Sequence, residues 1–327
     1  MARADLLLNL VRAARTSDQA LLRKTIEAMV ADERAKNHNI LADRLMAQSQ
    51  GPVQQNNKEA AVNGDRPASL FYENIPQRSL SALILSSSVR LACTQLVEEH
   101  HRGDLLRSHN LEPRNKVLLV GPPGNGKTSL AEALAEALMV PFIVVRYEGL
   151  IGSFLGETAS RLRRLFDYVR TRQCVLFFDE FDTVGKERGD LHETGEIKRV
   201  VSSLLLQIDD LPSHVVAIAA TNHPELLDRA VWRRFQIRLE LPHPGIKQLA
   251  EWFEQFQMRV EIDLHYSPRT LAEKLSGSSF AEAEDFATDV VRRYVLSLPE
   301  SDIKKIVSEQ ILLWQDRMKV GRTARVK

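Results

Sequence analysis

Lys116-Val117-Leu118-Leu119-Val120-Gly121-Pro122-Pro123-Gly124-Asn125-Gly126-Lys127-Thr128-Ser129-Leu130-Ala131 is the stretch that decides how this chain folds. Its first five residues form an apolar run of strand length, and the Ala- and Leu-rich run from Thr128 to Met139 predicts a helix. Between them stands Gly-x-x-x-x-Gly-Lys-Thr. Glycines there let the backbone turn tightly, so that successive N–H groups point at one place, and the helix start adds positive potential. The pattern is a phosphate cradle made by Gly121, Pro122, Pro123, Gly124, Asn125, Gly126, Lys127, Thr128 and Ser129. Lys127 is placed to reach β- and γ-phosphates, and the Thr128 hydroxyl to ligate Mg2+. At ordinary residue frequencies such a pattern arises by chance about 0.01 times in a chain of this length.

Working outward, Phe142-Ile143-Val144-Val145 predicts the next strand, followed by a helix from about Glu157 to Arg170. Cys174-Val175-Leu176-Phe177-Phe178, Val215-Val216-Ala217-Ile218-Ala219 and Gln236-Ile237-Arg238-Leu239 continue the series. Strands that are apolar throughout, alternating with helices, predict an α/β fold with a parallel sheet covered on both faces. In such sheets ligands bind beyond the carboxyl ends of the strands. The third of these strands ends there in Asp179-Glu180: Asp179 is a candidate to hold Mg2+ through a water, and Glu180 to polarise an attacking water as general base. Asp182 reads as structural. Asn222, at the end of Ala219-Ala220-Thr221-Asn222, has an amide that can hold that water or the γ-phosphate. Arg233 and Arg234 can act on a nucleotide only across a subunit boundary; taken alone, such a pair is a solvated surface.

The remainder divides by composition. Residues 1–48 carry apolar residues at helical spacing and predict a small helical module that binds a substrate or partner, or merely packs. Residues 49–69 are polar and turn-rich, a flexible linker. Residues 70–242 hold the α/β pattern, 243–316 predict a small helical domain, and 317–327 a basic tail. The start resembles a signal peptide, but its apolar core stops at Val11 with Arg12 and Arg15 following, so it reads as an amphipathic helix of a cytoplasmic protein. No apolar run is long enough to span a bilayer. Two cysteines among 327 residues exclude a disulfide framework. With 44 Lys and Arg against 43 Asp and Glu, no global field draws the chain to nucleic acid or an anionic membrane.

In order and spacing these residues resemble the AAA+ ATPases, and among them the AAA group of bacterial single-ring, protein-remodelling ATPases, over about residues 70–300. The resemblance implies a P-loop α/β domain followed by a helical lid. In it Gly121–Thr128 matches Walker A, Cys174–Glu180 Walker B, Asn222 sensor 1, Thr221–Asp228 the second region of homology, and Arg233 and Arg234 the arginine fingers. It further implies ATP and Mg2+ as ligands, a homo-oligomeric ring expected to have six subunits, and a polypeptide substrate unfolded, threaded or remodelled at the expense of ATP. Phe154, Leu155 and Gly156 match the family's substrate-gripping loop, and Gly189–Gly195 a second loop facing the pore. The lid signature departs from the family in Gly277-Ser278-Ser279-Phe280-Ala281-Glu282, where Phe280 stands at a usual glycine. With no His-Glu-x-x-His zinc signature in the chain, a separate protease such as a subtilisin-like serine peptidase is a candidate partner by analogy. Two alternatives remain on the same core: a nucleic-acid motor or loader, and an ATP-gated scaffold with little turnover.

Overall fold

The structure is a computed structural model and describes residues 28–31, 34, 70–147, 155–182, 194–298 and 302–324. Most of the helical module, the whole linker up to residue 69, Phe154 and most of Gly189–Gly195 lie outside the described residues.

Six strands form one sheet: β1 (Phe71–Asn74), β2 (Lys116–Val120), β3 (Phe142–Val145), β4 (Cys174–Phe178), β5 (Val215–Thr221) and β6 (Ile237–Glu240), in the spatial order β1-β3-β4-β5-β2-β6. All neighbouring pairs are parallel except β1 with β3. The five strands read from the sequence are the parallel ones. The sixth, β1, was not foreseen, because Phe71-Tyr72-Glu73-Asn74 has no apolar run and buries only Phe71 fully. It is specified by pairing with β3, where Phe71 lies opposite Val145.

Side chains alternate across the pleat, and both sets are buried. Leu118, Ile143, Leu176, Phe178, Ala217 and Ala219 face one way, against Leu162, Leu165 and Phe166 of α4 (Leu155–Arg170) and Leu204, Leu205 and Ile208 of α5 (Thr194–Asp209). Val117, Leu119, Val144, Val175, Phe177 and Ile218 face the other, against Val89, Cys93 and Leu96 of α1 (Ser87–His101) and Leu130 and Leu134 of α3 (Lys127–Ala137). The short helix α2 (Gly103–Ser108) follows α1. The edge strand β6 alternates buried Ile237 and Leu239 with exposed Arg238 and Glu240. The helix α6 (Arg229–Arg234) lies just before it.

Beyond the sheet, α7 (Ile246–Val260), α8 (Pro268–Lys274), α9 (Phe280–Leu296) and α10 (Ile303–Ala324) build a separate core around Phe253, Phe256, Phe286 and Trp314. Residues 317–324, expected in a basic tail, continue α10 instead. Extending a helix that has already nucleated adds one hydrogen bond per residue ordered. Among the described residues no helix is long and apolar enough to cross a membrane.

Candidate active site

The loop from Gly121 to Gly126 leaves β2 and turns into α3 at the carboxyl edge of the sheet. Its tightness has two measurable sources. A Cβ on Gly121 would lie 2.2 Å from the Leu241 carbonyl oxygen, beyond β6. Gly124 has φ +77, and its Cβ would lie 2.7 Å from Ser279 Oγ in the lid. With side chains kept out, the amides of the loop and of the first turn of α3, which have no intrahelical acceptors, are left to an anionic ligand.

Lys127 is buried, and its Nζ donates to Gly121 O at 2.7 Å, Pro122 O at 2.9 Å and Asn222 Oδ1 at 2.6 Å. Burial lowers the pKa of this ammonium, and the charges of Asp179 and Asp182 oppose that. The Thr128 hydroxyl donates to Asp179 Oδ2 at 3.0 Å, while Asp179 Oδ1 accepts the Glu180 N–H at 2.9 Å. Glu180 is exposed at the sheet edge, in the left-handed region at φ +47, a conformation uncommon for a side chain of this kind. Behind it, Phe181 N–H donates to Ala220 O at 2.8 Å. Buried Asp182 accepts from the Thr221 hydroxyl at 2.8 Å, and that oxygen accepts the His223 N–H at 3.0 Å. These bonds tie the end of β4 to the end of β5 and hold Asn222 beside Lys127.

Three strands thus bring Lys127, Thr128, Asp179, Glu180 and Asn222 to one edge. The donor set suits a divalent ion held together with phosphate oxygens. A hydroxyl and a carboxylate are adjacent, and Mg2+ is ordinarily bound through one or two protein oxygens plus phosphates and waters. Among the described residues no cluster of three or more His, Cys, Asp or Glu could hold a metal by itself.

Other predicted residues are distributed differently. The Ser129 hydroxyl accepts from Arg78 Nη1 at 2.7 Å, which leaves its backbone amide for the cradle. Arg234 Nε donates to Asp209 Oδ2 at 2.7 Å, and its Nη1 to Ala230 O at 3.0 Å. Arg233, one position earlier, is exposed. Neither reaches the cradle of its own chain by any hydrogen bond or ion pair described. Leu155 and Gly156 open α4, two residues before the predicted helix start. Phe280 leans on the lid core, and the lid meets the cradle through its backbone: Ala281 N–H donates to Gly124 O at 3.0 Å. Sequence reasoning missed Arg78 and the Gly124–Ser279 contact, since nothing local marks residues that meet across such separations.

Comparison with known proteins agrees with this geometry. Residues 117–243 match the family described as "ATPase family associated with various cellular activities (AAA)". An uncharacterized AAA family ATPase, y4kL of Sinorhizobium fredii, is 33% identical over 321 residues, covering 95% of this chain and 96% of that protein. The ATP-dependent zinc metalloprotease FtsH 1 of Salinibacter ruber is 38% identical over 51% of this chain, but the match spans only 25% of that protein. Among solved structures, the FIGL-1 AAA domain superposes with a TM-score of 0.60 at 23% identity, over 75% of this chain and 85% of that one, a likeness of fold.

Proposed function

Because the chain belongs to the AAA family of ATPases, we propose that it is a motor whose subunits assemble into a ring, a hexamer by the family resemblance, and that it spends ATP on unfolding, threading or remodelling polypeptides. The observation that carries this reading is the convergence of Lys127, Thr128, Asp179 and Asn222 within hydrogen-bond distance at the ends of β2, β4 and β5. A protein substrate is supported by the likeness to an ATP-dependent metalloprotease.

Each residue then has a distinct task. The cradle amides and Lys127 hold the triphosphate; Lys127 exchanges its three resting acceptors for phosphate oxygens. Thr128 and Asp179 would hold Mg2+, which when bound neutralises phosphate charge. Glu180 takes a proton from the attacking water, and Asn222 orients that water or the terminal phosphate. Arg233 and Arg234 belong to the neighbouring subunit's site, and Phe154 with Leu155 and Gly156 grips the chain being moved. The test is Glu180→Gln, which should bind ATP as the parent does, with turnover reduced by about 10²–10⁴. The loaded ring should then persist and retain polypeptide. Normal turnover by this variant would end the assignment, and a chain that stays monomeric with Mg-ATP would end the ring.

A further inference from the structure

Arg78 precedes the short turn at Leu80–Ala82 and lies against α3. Its Nη1 donates to Ser129 Oγ at 2.7 Å, and its Nε stands 3.7 Å from Glu132 Oε2. Glu132 Oε1 also accepts the Gln77 N–H at 3.2 Å. Ser129 and Glu132, three apart, share one face of α3 and seat the guanidinium at two points. The seat adds little to stability, because 52% of the Arg78 side chain and 28% of the Glu132 side chain are exposed. What it fixes is the position of a positive charge. Side chains on a helix tilt toward its N-terminus, so the Ser129 hydroxyl leans to the end of α3 where the amides of Lys127, Thr128 and Ser129 lack intrahelical acceptors. Ser129 lies about 200° around the helix from Lys127. Lys127 Nζ turns to Gly121, Pro122 and Asn222. The two cations therefore flank the cradle: Lys127 serves the end where Asp179, Glu180 and Asn222 gather, and Arg78 the opposite end. Arg78 Nη2 has no hydrogen-bond partner among the described residues.

We propose that Arg78 is a nucleotide-binding residue, whose guanidinium keeps Nη1 on Ser129 and donates from Nη2 to the α-phosphate. The proposal rests on the reading of the cradle as an ATP site. In that reading Lys127 takes the β- and γ-phosphates while the loop amides take the α- and β-phosphates. The phosphate chain whose γ end lies at Glu180 and Asn222 then leaves past Ser129. A guanidinium fork can hold a hydroxyl and a phosphate oxygen at once. ATP and ADP share the α-phosphate, so the contact serves both equally, unlike one made to the γ-phosphate.

The test is titration of the full chain with ADP and with the non-hydrolysable ATP analogue adenylyl imidodiphosphate. Arg78→Ala and Arg78→Gln should each weaken both ligands by the same factor, about tenfold, as for a charge-assisted hydrogen bond lost from a half-exposed site. Glutamine is the decisive variant, since its amide can still donate to Ser129 but carries no charge. Arg78→Lys should recover part of the affinity, and the loss in Arg78→Gln should shrink as salt is raised. Without nucleotide, all three variants should melt with the parent. Parental affinity in Arg78→Gln, a loss confined to the ATP analogue, or a lower nucleotide-free melting temperature would each overturn the proposal and leave the cradle standing. Lys127→Ala that binds both ligands as the parent does would instead remove the cradle reading itself, and the proposal with it.

Discussion

Arg233 and Arg234 are chemically identical neighbours with different surroundings. On a helix of 100° per residue, two adjacent side chains cannot share a face. Val231 is the fully buried residue of α6 and sets which side of the helix packs inward. Arg234 falls beside that side and pairs with Asp209, with 26% and 36% of the two side chains exposed. Arg233 points to solvent. The two should therefore respond differently to removal. Arg233→Ala should leave the melting temperature unchanged while lowering turnover of the assembled protein, since a finger acting in trans is worth about 10³–10⁵ in rate. Arg234→Ala should lower the melting temperature as well, because it strips Asp209 of a charge-assisted partner. Calorimetry beside an ATPase assay separates these outcomes; equal thermal stability of both variants would refute the distinction.

At the scale of elements, α1 is tied to the start of β2 by two consecutive side chains acting on one residue. The Glu99 carboxylate accepts Arg114 N–H at 3.0 Å and Nε–H at 2.8 Å, and His100 Nε2 donates to the Arg114 carbonyl at 2.8 Å. Burial would raise the Glu99 pKa, but the hydrogen bonds and charge of Arg114 together lower it. For His100 burial is the main cause and lowers the pKa below 6.5; the hydrogen bond to the Arg114 carbonyl and the charge of Glu99 oppose it, and the charges of His101 and Arg107 add to it. The unfolded chain therefore binds the imidazole proton first. The contribution of His100 to stability is complete above pH 6.5 and is lost as pH falls from there to its folded value. Glu99 adds a second loss only below 4.5, its ordinary value. Melting temperature should thus decline as pH falls below 6.5 toward the lowered folded value of His100. His100→Gln keeps an N–H for the carbonyl and should flatten that decline; an unchanged slope would count against it.

Over the whole molecule, the cradle also touches the helical lid. The Gly124 carbonyl receives the Ala281 amide, and its Cα faces Ser279, the N-cap of α9, which forms a capping box with Glu282. A methyl group at Gly124 meets Ser279 Oγ at 2.7 Å, and φ +77 adds about 1–2 kcal/mol of backbone strain for a residue with a Cβ. Gly124→Ala should therefore displace the lid and the cradle together. ATP affinity should fall and the melting temperature drop, read by nucleotide titration and calorimetry. Loss of stability with undiminished affinity would mean that the contact does not couple lid and nucleotide.

Much of this arrangement could be read from residues alone because the informative signals are local. Four or five consecutive apolar residues demand burial on both faces, glycines with Lys127 and Thr128 mark a phosphate loop, and Asp179-Glu180 ends a buried strand. Helix ends and the extent of α10 were less legible, since propagation past a nucleated turn depends on small energies. Strand β1 left no trace in composition, as its place comes from the β3 edge. The parallel α/β sheet and the residue types at its carboxyl edge follow from short-range chemistry along the chain. It took the path of the backbone to bring Lys127 to Asn222 from 95 residues away, to let Asp209 hold Arg234 but not Arg233, and to turn the Ser129 hydroxyl to Arg78. Such partners are chosen by the path of the backbone through space, which no window of neighbouring residues contains.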